Sequence, residues 1–285
     1  FNIFLADLFL FCTEIDIANF ADDNSPFCCA NDINTVINNL QKESKTLLNW
    51  FSLNKQKANP DKFHLLLSEP NTDHSIQIGK FSIQNSPCEK LLGIKIDSNL
   101  SFEEHIGNLC DKGAQKLHAL NRVSKFMNTH QKRLIMKSFI NSQFGYCPLI
   151  WMFCSRYLNN RINRIHERAL RIVYDDHTSL FEELLLRDNS VTIHVRNLQS
   201  LAIELYKVVN DIAPEIMKQS FPKVEEKRYP TKSIFLSRNV KTTKFGINSL
   251  AHFGPKLWAI VPNKLKQIKS LSVFKKEIKH WIPAK

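Results

Sequence analysis

Glu14–Asn31 reads EIDIANFADDNSPFCCAN, and this stretch decides the fold of the first third of the chain. Ile15 and Ile17 alternate with polar residues and Phe20 closes the run, the period of a half-buried strand. Asp22-Asp23-Asn24-Ser25 is turn chemistry, because short polar side chains bond back to nearby backbone. Phe27–Ala30 is a second short apolar run. The stretch predicts strand–turn–strand with two aspartates at the tip. Adjacent carboxylates repel, so a hairpin tip holds them most easily when both are solvated or when a cation sits between them. Hard divalent cations such as Mg²⁺ take carboxylate oxygens together with substrate phosphates, and a pair of such ions supports phosphoryl transfer. A bare Asp-Asp pair is also ordinary turn composition, and both readings stand at this point.

Working outward, residues 1–11 carry Ile3, Phe4, Leu8 and Phe11 at helical spacing. After the hairpin, Asn31 or Asp32 caps a helix whose apolar stripe runs through Ile33, Val36, Ile37, Leu40, Leu47, Leu48 and Phe51 to about Leu53. A polar loop with Asn59-Pro60-Asp61-Lys62 leads to an expected strand at 63–67. SIQIG and FSIQ (residues 75–79 and 81–84) suggest a hairpin, and KLLGIKID (90–97) reads as one more strand. The first hundred residues thus predict mostly antiparallel strands crossed by one long helix. The remainder predicts helices over 102–127, 129–144, 155–174, 179–186, 191–210 and 270–281, with Pro214, Pro222, Pro230, Pro255 and Pro262 breaking up the last third. Residues 234–240 fit a strand or an extended loop. A boundary near 98–101 marks the change of pattern.

Charge changes at the same place. The chain has 285 residues and a formal charge of +12, yet residues 1–100 hold 8 Lys and no Arg against 12 acids, a net of −4. The other 185 carry a net of +16, so the whole basic excess lies in the rear. Only 7 Gly occur, which argues against Gly-rich phosphate loops and a β-sandwich. The longest apolar stretch after the start, Phe144–Cys154, is about half the ~20 residues of a membrane span, so no membrane partner is expected. Seven Cys occur without C-x-x-C or zinc-finger spacing. Reduced thiols in an intracellular protein, nuclear or cytoplasmic, are expected, with Cys28 and Cys29 in the core. The chain opens on Phe inside an apolar run that has no signal-peptide pattern. That opening creates the expectation of a further part upstream.

Within 155–174 the arithmetic of 100° per residue puts Arg161, Arg164, Arg168 and Arg171 on one face. Leu158, Ile162, Ile165, Ala169, Ile172 and Val173 form a separate apolar face roughly a third of a turn away. Arg forks match phosphate oxygens, and four like charges on one face suit a polyanion. The plainer reading is a solvated face offset by carboxylates such as Glu167. Lys264, Lys266, Lys269, Lys275, Lys276 and Lys279 form a second basic run that fits a solvated face at least as well. His105, His166 and His194 read as helix-surface or half-buried histidines, and Trp151, Phe153, Trp258 and Trp281 as core.

These residues carry a resemblance. ANFADDNSPFCCA resembles the [YF]-x-D-D catalytic hairpin of reverse transcriptases, and the blocks around it follow in the same order. FNIFLADLF resembles the helix end before that hairpin in non-LTR (LINE-type, jockey-like) retrotransposon polymerases. DINTVINNLQKESKTLLNWFSLNKQKANPDKFHLLL resembles their next segment, with its N-P-x-K turn. KLLGIKIDSNLSFEEHI resembles the palm–thumb junction. KLHALNRVSKF, FINSQFGYCPLIWMFC, RINRIHERALRIVY and GINSLAHFGPKLWAIVPNKLK resemble the helical region beyond it. The resemblance spans nearly the whole chain.

It implies an α+β fold, a partial polymerase palm (antiparallel sheet with a crossing helix) followed by a mainly α-helical thumb and C-terminal region. The expected divisions are a partial palm over 1–98, a thumb-like region over 99–178 and a basic helical region over 179–285. It implies an RNA-directed DNA polymerase using two Mg²⁺ or Mn²⁺ ions, with RNA template, DNA primer strand and dNTP as partners in the intact enzyme. Asp22 and Asp23 match the metal-binding aspartates, and Phe20 would pack beneath the primer end. Lys62 matches the lysine that would act on the leaving pyrophosphate as general acid or charge stabiliser; a solvated turn lysine is the other reading. Leu92 and Gly93 match the segment that grips the primer, Gly allowing close backbone approach. Arg161, Arg164, Arg168 and Arg171 would hold template or primer phosphates. The family's third metal-binding aspartate comes from an upstream strand. Asp7 and Asp16 are the only earlier candidates, and Asp16 on the hairpin's own strand lies about 20 Å from Asp22 at ~3.3 Å per residue. No polymerase activity is therefore expected from this chain alone. The alternative is a non-catalytic nucleic-acid-binding module derived from a retroelement.

Overall fold

The FADD segment forms the first hairpin of a computed structural model that describes residues 5, 7–69, 73–224, 234–236 and 239–283. After a short helix α1 (Leu8–Phe11), strands β1 (Asp16–Phe20) and β2 (Asp23–Phe27) pair antiparallel from Asp16↔Phe27 to Phe20↔Asp23. The turn is therefore Ala21-Asp22, not the expected Asp22–Ser25. Two-residue hairpin turns need positive φ to match strand twist, and Ala21 supplies it at φ 53°. This moves the return strand forward. Asp23–Phe27 is paired, Cys28 is half-buried and Cys29 exposed, which corrects the expectation of two core thiols. The expected helix over 1–11 falls partly outside the described residues.

Helix α2 (Ile33–Leu53) starts where the sequence says, with Asp32 Oδ1 accepting from Thr35 N–H at 2.9 Å, a cap worth about 1 kcal/mol. It buries Leu40, Leu47 and Trp50 against Leu5, Leu8, Ile15, Leu65, Leu67, Ile76 and Ile78. Each such side chain contributes about 1.5–3 kcal/mol on leaving water. The same face buries Glu43. Burial pushes the neighbouring Cys12 thiol up to about 11, and its hydrogen bond to Glu43 acts in the same direction. Residues 63–67 do not make the expected strand. Leu65 forms one parallel bridge to Asn85, and Leu67 N–H donates to the Asn85 side chain at 2.9 Å. Pro87 has no N–H with which to carry the ladder further.

Strands β3 (Ser75–Ile78) and β4 (Phe81–Gln84) form the expected hairpin. The single strand expected over 90–97 is instead a third hairpin, β5 (Cys88–Leu91) and β6 (Ile94–Asp97). Leu92 and Gly93 both take positive φ, 46° and 87°, as a tight turn demands. An apolar run hid the turn from the sequence pattern. Each of the three sheets has two strands, and every one is antiparallel.

The chain divides into two compact units, Phe1–Ser101 and Phe102–Lys285. Asp97 marks the end of the first, its carboxylate accepting from the backbone N–H of Asn99 at 3.1 Å and of Ser101 at 3.0 Å. The second unit is helical. Helices α3 (Glu103–Val123), α4 (Thr129–Ile135), α5 (Pro148–Trp151), α6 (Arg156–Tyr174) and α7 (Phe181–Asp188) come first. They are followed by α8 (Ile193–Val209), α9 (Glu215–Ser220), α10 (Leu250–Ile260), α11 (Asn263–Lys266) and α12 (Leu271–Glu277). One core forms around α3, α6 and α7, with Ile106, Phe144, Trp151, Ile162 and Leu170 buried. A second forms around α8, α10 and α12, with Leu201, Tyr206, Trp258 and Phe274. Tyr206 and Phe274 stack with centroids 4.2 Å apart.

Two expectations fail here for stated reasons. The helix over 129–144 is not regular. After α4 it widens to a π turn at Met136–Ile140 and then tightens at Asn141–Gly145. Ser138 Oγ donates to Leu134 O at 2.8 Å, the kind of back-bonding that bends helices. Pro255 does not break the chain but lies inside α10. Proline inside a helix, through its lost hydrogen bond and ring clash, costs about 3 kcal/mol, and burial of Pro255, Leu257 and Trp258 offsets it. Of residues 234–240, only part is described; Phe235 forms an antiparallel bridge to Lys223. No helix among the described residues is long and apolar enough to cross a membrane.

Candidate nucleic-acid interface and acidic hairpin

The β1–β2 hairpin fixes the two aspartates by register. Asp22 is the second turn residue and Asp23 opens the return strand opposite Phe20. Both are exposed, and Phe20 is 64% exposed beside them. Among the described residues neither carboxylate has a hydrogen-bond donor or a cation within 4 Å. Asn24 Nδ2 donates only to the Asp22 backbone carbonyl, while Asn19 Nδ2 and Asn24 Oδ1 clamp the strands at 2.7 Å. Asp16 sits at the far end of the hairpin, opposite Phe27. Among the described residues there is no group of three or more His, Cys, Asp or Glu that could hold a metal ion. The hairpin supplies two carboxylates and does not by itself fit a divalent-metal centre, so no reaction step is routed through one here.

The other expected site residues of the first unit lie on separate elements. Lys62 ends the 3-10 turn Pro60–Lys62 that Asn59 caps, is exposed, and has no carboxylate partner among the described residues. Leu92 and Gly93 form the β5–β6 turn, so Gly93 provides the turn's conformation. Lys62, Leu92 and Gly93 thus belong to elements other than the β1–β2 hairpin that carries the aspartates.

Helix α6 presents the arginines. Ser155 caps it by accepting from Leu158 N–H, and its apolar face enters the first core of the second unit. Gly113 of α3 lets the two helices approach closely. A Cβ there would meet Ile165 Cγ2 at 3.1 Å, tighter than ordinary contact. The four arginines then separate into two pairs. Arg171 is internal: it donates to Glu167 Oε1 at 2.7 Å and to Ser179 O at 3.1 Å. Arg161 lies 3.7 Å from Asp111 of α3, a loose exposed pair worth under about 1 kcal/mol. Arg164 and Arg168 are exposed and unpaired among the described residues. The face expected to offer four guanidiniums offers two free and one loosely held.

Sequence reasoning missed a buried polar cluster of the second unit. Arg133 of α4 donates to the Asp188 carboxylate and to its backbone carbonyl at the end of α7. Tyr174 OH of α6 donates to Asp188 Oδ1 at 3.0 Å. The Asp188 side chain is fully buried. His166 is 1% exposed with neither ring nitrogen hydrogen-bonded, and Arg196 of α8 buries its Nε and Nη2 unpaired. Burial pushes His166 down to about 4, Arg196 adding to the effect and Asp188 opposing it. Burial also lowers Arg196. This corrects the expectation of surface or half-buried histidines for His166, and for His105, which is 5% exposed. No spacing signals such a cluster, because its members come from four helices. In the C-terminal lysine run, Lys266 lies 5.8 Å over the Trp258 ring and donates to Ala259 O, while the other five are exposed.

Comparison with known proteins finds no matching family model, no matching curated protein and no matching solved structure.

Proposed function

We propose that the chain is the C-terminal part of an RNA-directed DNA polymerase of the non-LTR retrotransposon kind. The hairpin would be the carboxylate-bearing element of its palm, and the second unit the part that holds nucleic acid. The observation that supports this best is the hairpin tip, where two adjacent carboxylates stand in solvent without a protein cation among the described residues. Adjacent like charges kept unpaired at a rigid turn are suited to a cation that arrives with phosphate oxygens. Mg²⁺ or Mn²⁺ would supply Lewis-acid stabilisation of the phosphoryl group in a complete site. Phe20, Lys62, Leu92 and Gly93 belong to the same proposal, as contacts to primer end, leaving group and primer strand.

With two acids in place of a metal-binding group, the activity assigned to the chain alone is binding. Arg164 and Arg168 contact phosphates of an RNA–DNA hybrid, with Arg161 available once Asp111 releases it. The same two-acid count favours a second reading, a non-catalytic nucleic-acid-binding module built from this segment.

The test is binding and extension on one primer–template. Hybrid affinity should fall linearly in log K against log salt, and Asp22→Asn should leave it unchanged. With Mg²⁺ or Mn²⁺ and dNTP no product is expected. Template-dependent product would overturn the binding-only assignment, and salt-independent or absent binding would overturn both readings.

A further inference from the structure

Helix α6 carries one exposed aromatic residue in line with its free arginines. Tyr157, Arg161, Arg164 and Arg168 stand at i, i+4, i+7 and i+11, which is a single stripe on an α-helix. The stripe runs about 17 Å at 1.5 Å per residue. Tyr157 is 62% exposed, and no ring, hydrogen-bond or ionic partner holds it among the described residues. Leu158, Ile162, Ile165 and Ala169 bury a separate face of the same helix, roughly a third of a turn away, so the stripe is presented by a fixed element. A large aromatic ring left in water on the same stripe as unpaired guanidiniums loses the burial that tyrosine usually gains.

We propose that this stripe takes a single strand of nucleic acid, with Tyr157 stacking on an unpaired base and Arg164 and Arg168, about 10 and 17 Å further along the helix, on phosphates further along the same strand. The proposal rests on the nucleic-acid reading above and deepens it. Charge selects a polyanion, and the exposed ring selects one with free base faces. A blunt duplex satisfies the arginines but buries its base faces in its own stack, so it leaves Tyr157 idle. A strand end or single-stranded segment satisfies both. Asp111 beside Arg161 sets a limit on affinity, since its carboxylate faces the bound phosphates.

The experiment measures fluorescence anisotropy of the full chain with single-stranded RNA, single-stranded DNA and a blunt RNA–DNA hybrid of equal phosphate number. Tyr157→Ala should weaken binding of at least one single strand about tenfold and leave the blunt hybrid unchanged. Tyr157→Phe should bind like the parent, which separates ring stacking from loss of fold; a thermal melt confirms that both variants fold. Arg164→Ala and Arg168→Ala should weaken all three probes and reduce the salt slope by about one each. Asp111→Asn should tighten all three. Equal loss on hybrid and single strands, or no loss on either strand, would overturn the stacking assignment while leaving phosphate binding intact. If the parent chain binds none of the probes, the underlying reading fails instead.

Discussion

The two units cover apolar surface differently. In the first, β1 and β3 pack on α2, and among the described residues every sheet has two strands, so each strand is an edge. Large apolar side chains stay exposed in both units, among them Phe9, Leu10, Phe20 and Leu53 in the first and Phe126, Leu186 and Ile216 in the second, so the difference lies in how the backbone is paired and the interior closed. In the second, helices close two apolar cores and also enclose charged groups, Asp188 and part of Arg196. A two-stranded hairpin pairs only the inward half of its backbone groups and leaves its outer edges and faces for something else to cover. A helix saturates its backbone alone and can spend both sides on packing. The first unit is therefore held by one small core around α2 with local hairpins attached to it, and the second by two cores between distant segments.

Breaking the interior network should show the largest effect. Asp188→Ala leaves Arg133 without its carboxylate partner, Arg196 without its nearby carboxylate and Tyr174 OH with only the 3.5 Å contact to Arg187 O, and should cost about 3–5 kcal/mol. Hydrogen exchange should show lost protection in α4, α6, α7 and α8 while the first unit is unchanged. A cost below about 1 kcal/mol would mean that packing alone closes the second unit.

Acid should act next, and in the second unit. His166 titrates near 6.5 in the unfolded chain and only near 4 when folded, so the unfolded state takes up the proton first. Its contribution is whole above pH 6.5 and is lost as pH falls from there to about 4, at most about 3 kcal/mol. The groups facing it are Arg196, Asp188 and the Phe181 ring at 5.8 Å. Urea melts at pH 7 and pH 4.5 should differ for the parent and converge in His166→Leu. A pH dependence unaltered in that variant would place the acid sensitivity elsewhere.

The smallest effects belong to the first unit. Asp32→Ala removes the α2 cap and Gly93→Ala strains a turn residue at φ 87°, each costing about 1 kcal/mol. Thermal melts of both variants should shift by a few degrees. A much larger loss from either would show that the first unit is more cooperative than its open edges suggest.

Helix α2 and helix α6 were legible because cap, period and length agree within one segment: Asp32 or Ser155 starts a stripe that repeats every three or four residues. The turn at Leu92-Gly93 was not, since the eight residues Lys90–Asp97, with their apolar centre, fit one strand as well as two halves of a hairpin. The aspartate pair was visible, yet its register was set one residue earlier by the positive φ of Ala21, which turn composition does not forecast.

The sequence by itself determined the α+β character, the long helices, the acidic hairpin and the one-sided arginines of α6. Each of these depends on neighbours within a few residues, where side-chain period and hydrogen bonding are local. Only the tertiary structure decided which arginines remain free. It turned Arg171 inward to Ser179, set Arg161 near Asp111, and left Arg164 and Arg168 in solvent on the stripe that begins at Tyr157. The partners that make this division lie on other elements, and a charge's availability depends on the groups that fold up against it.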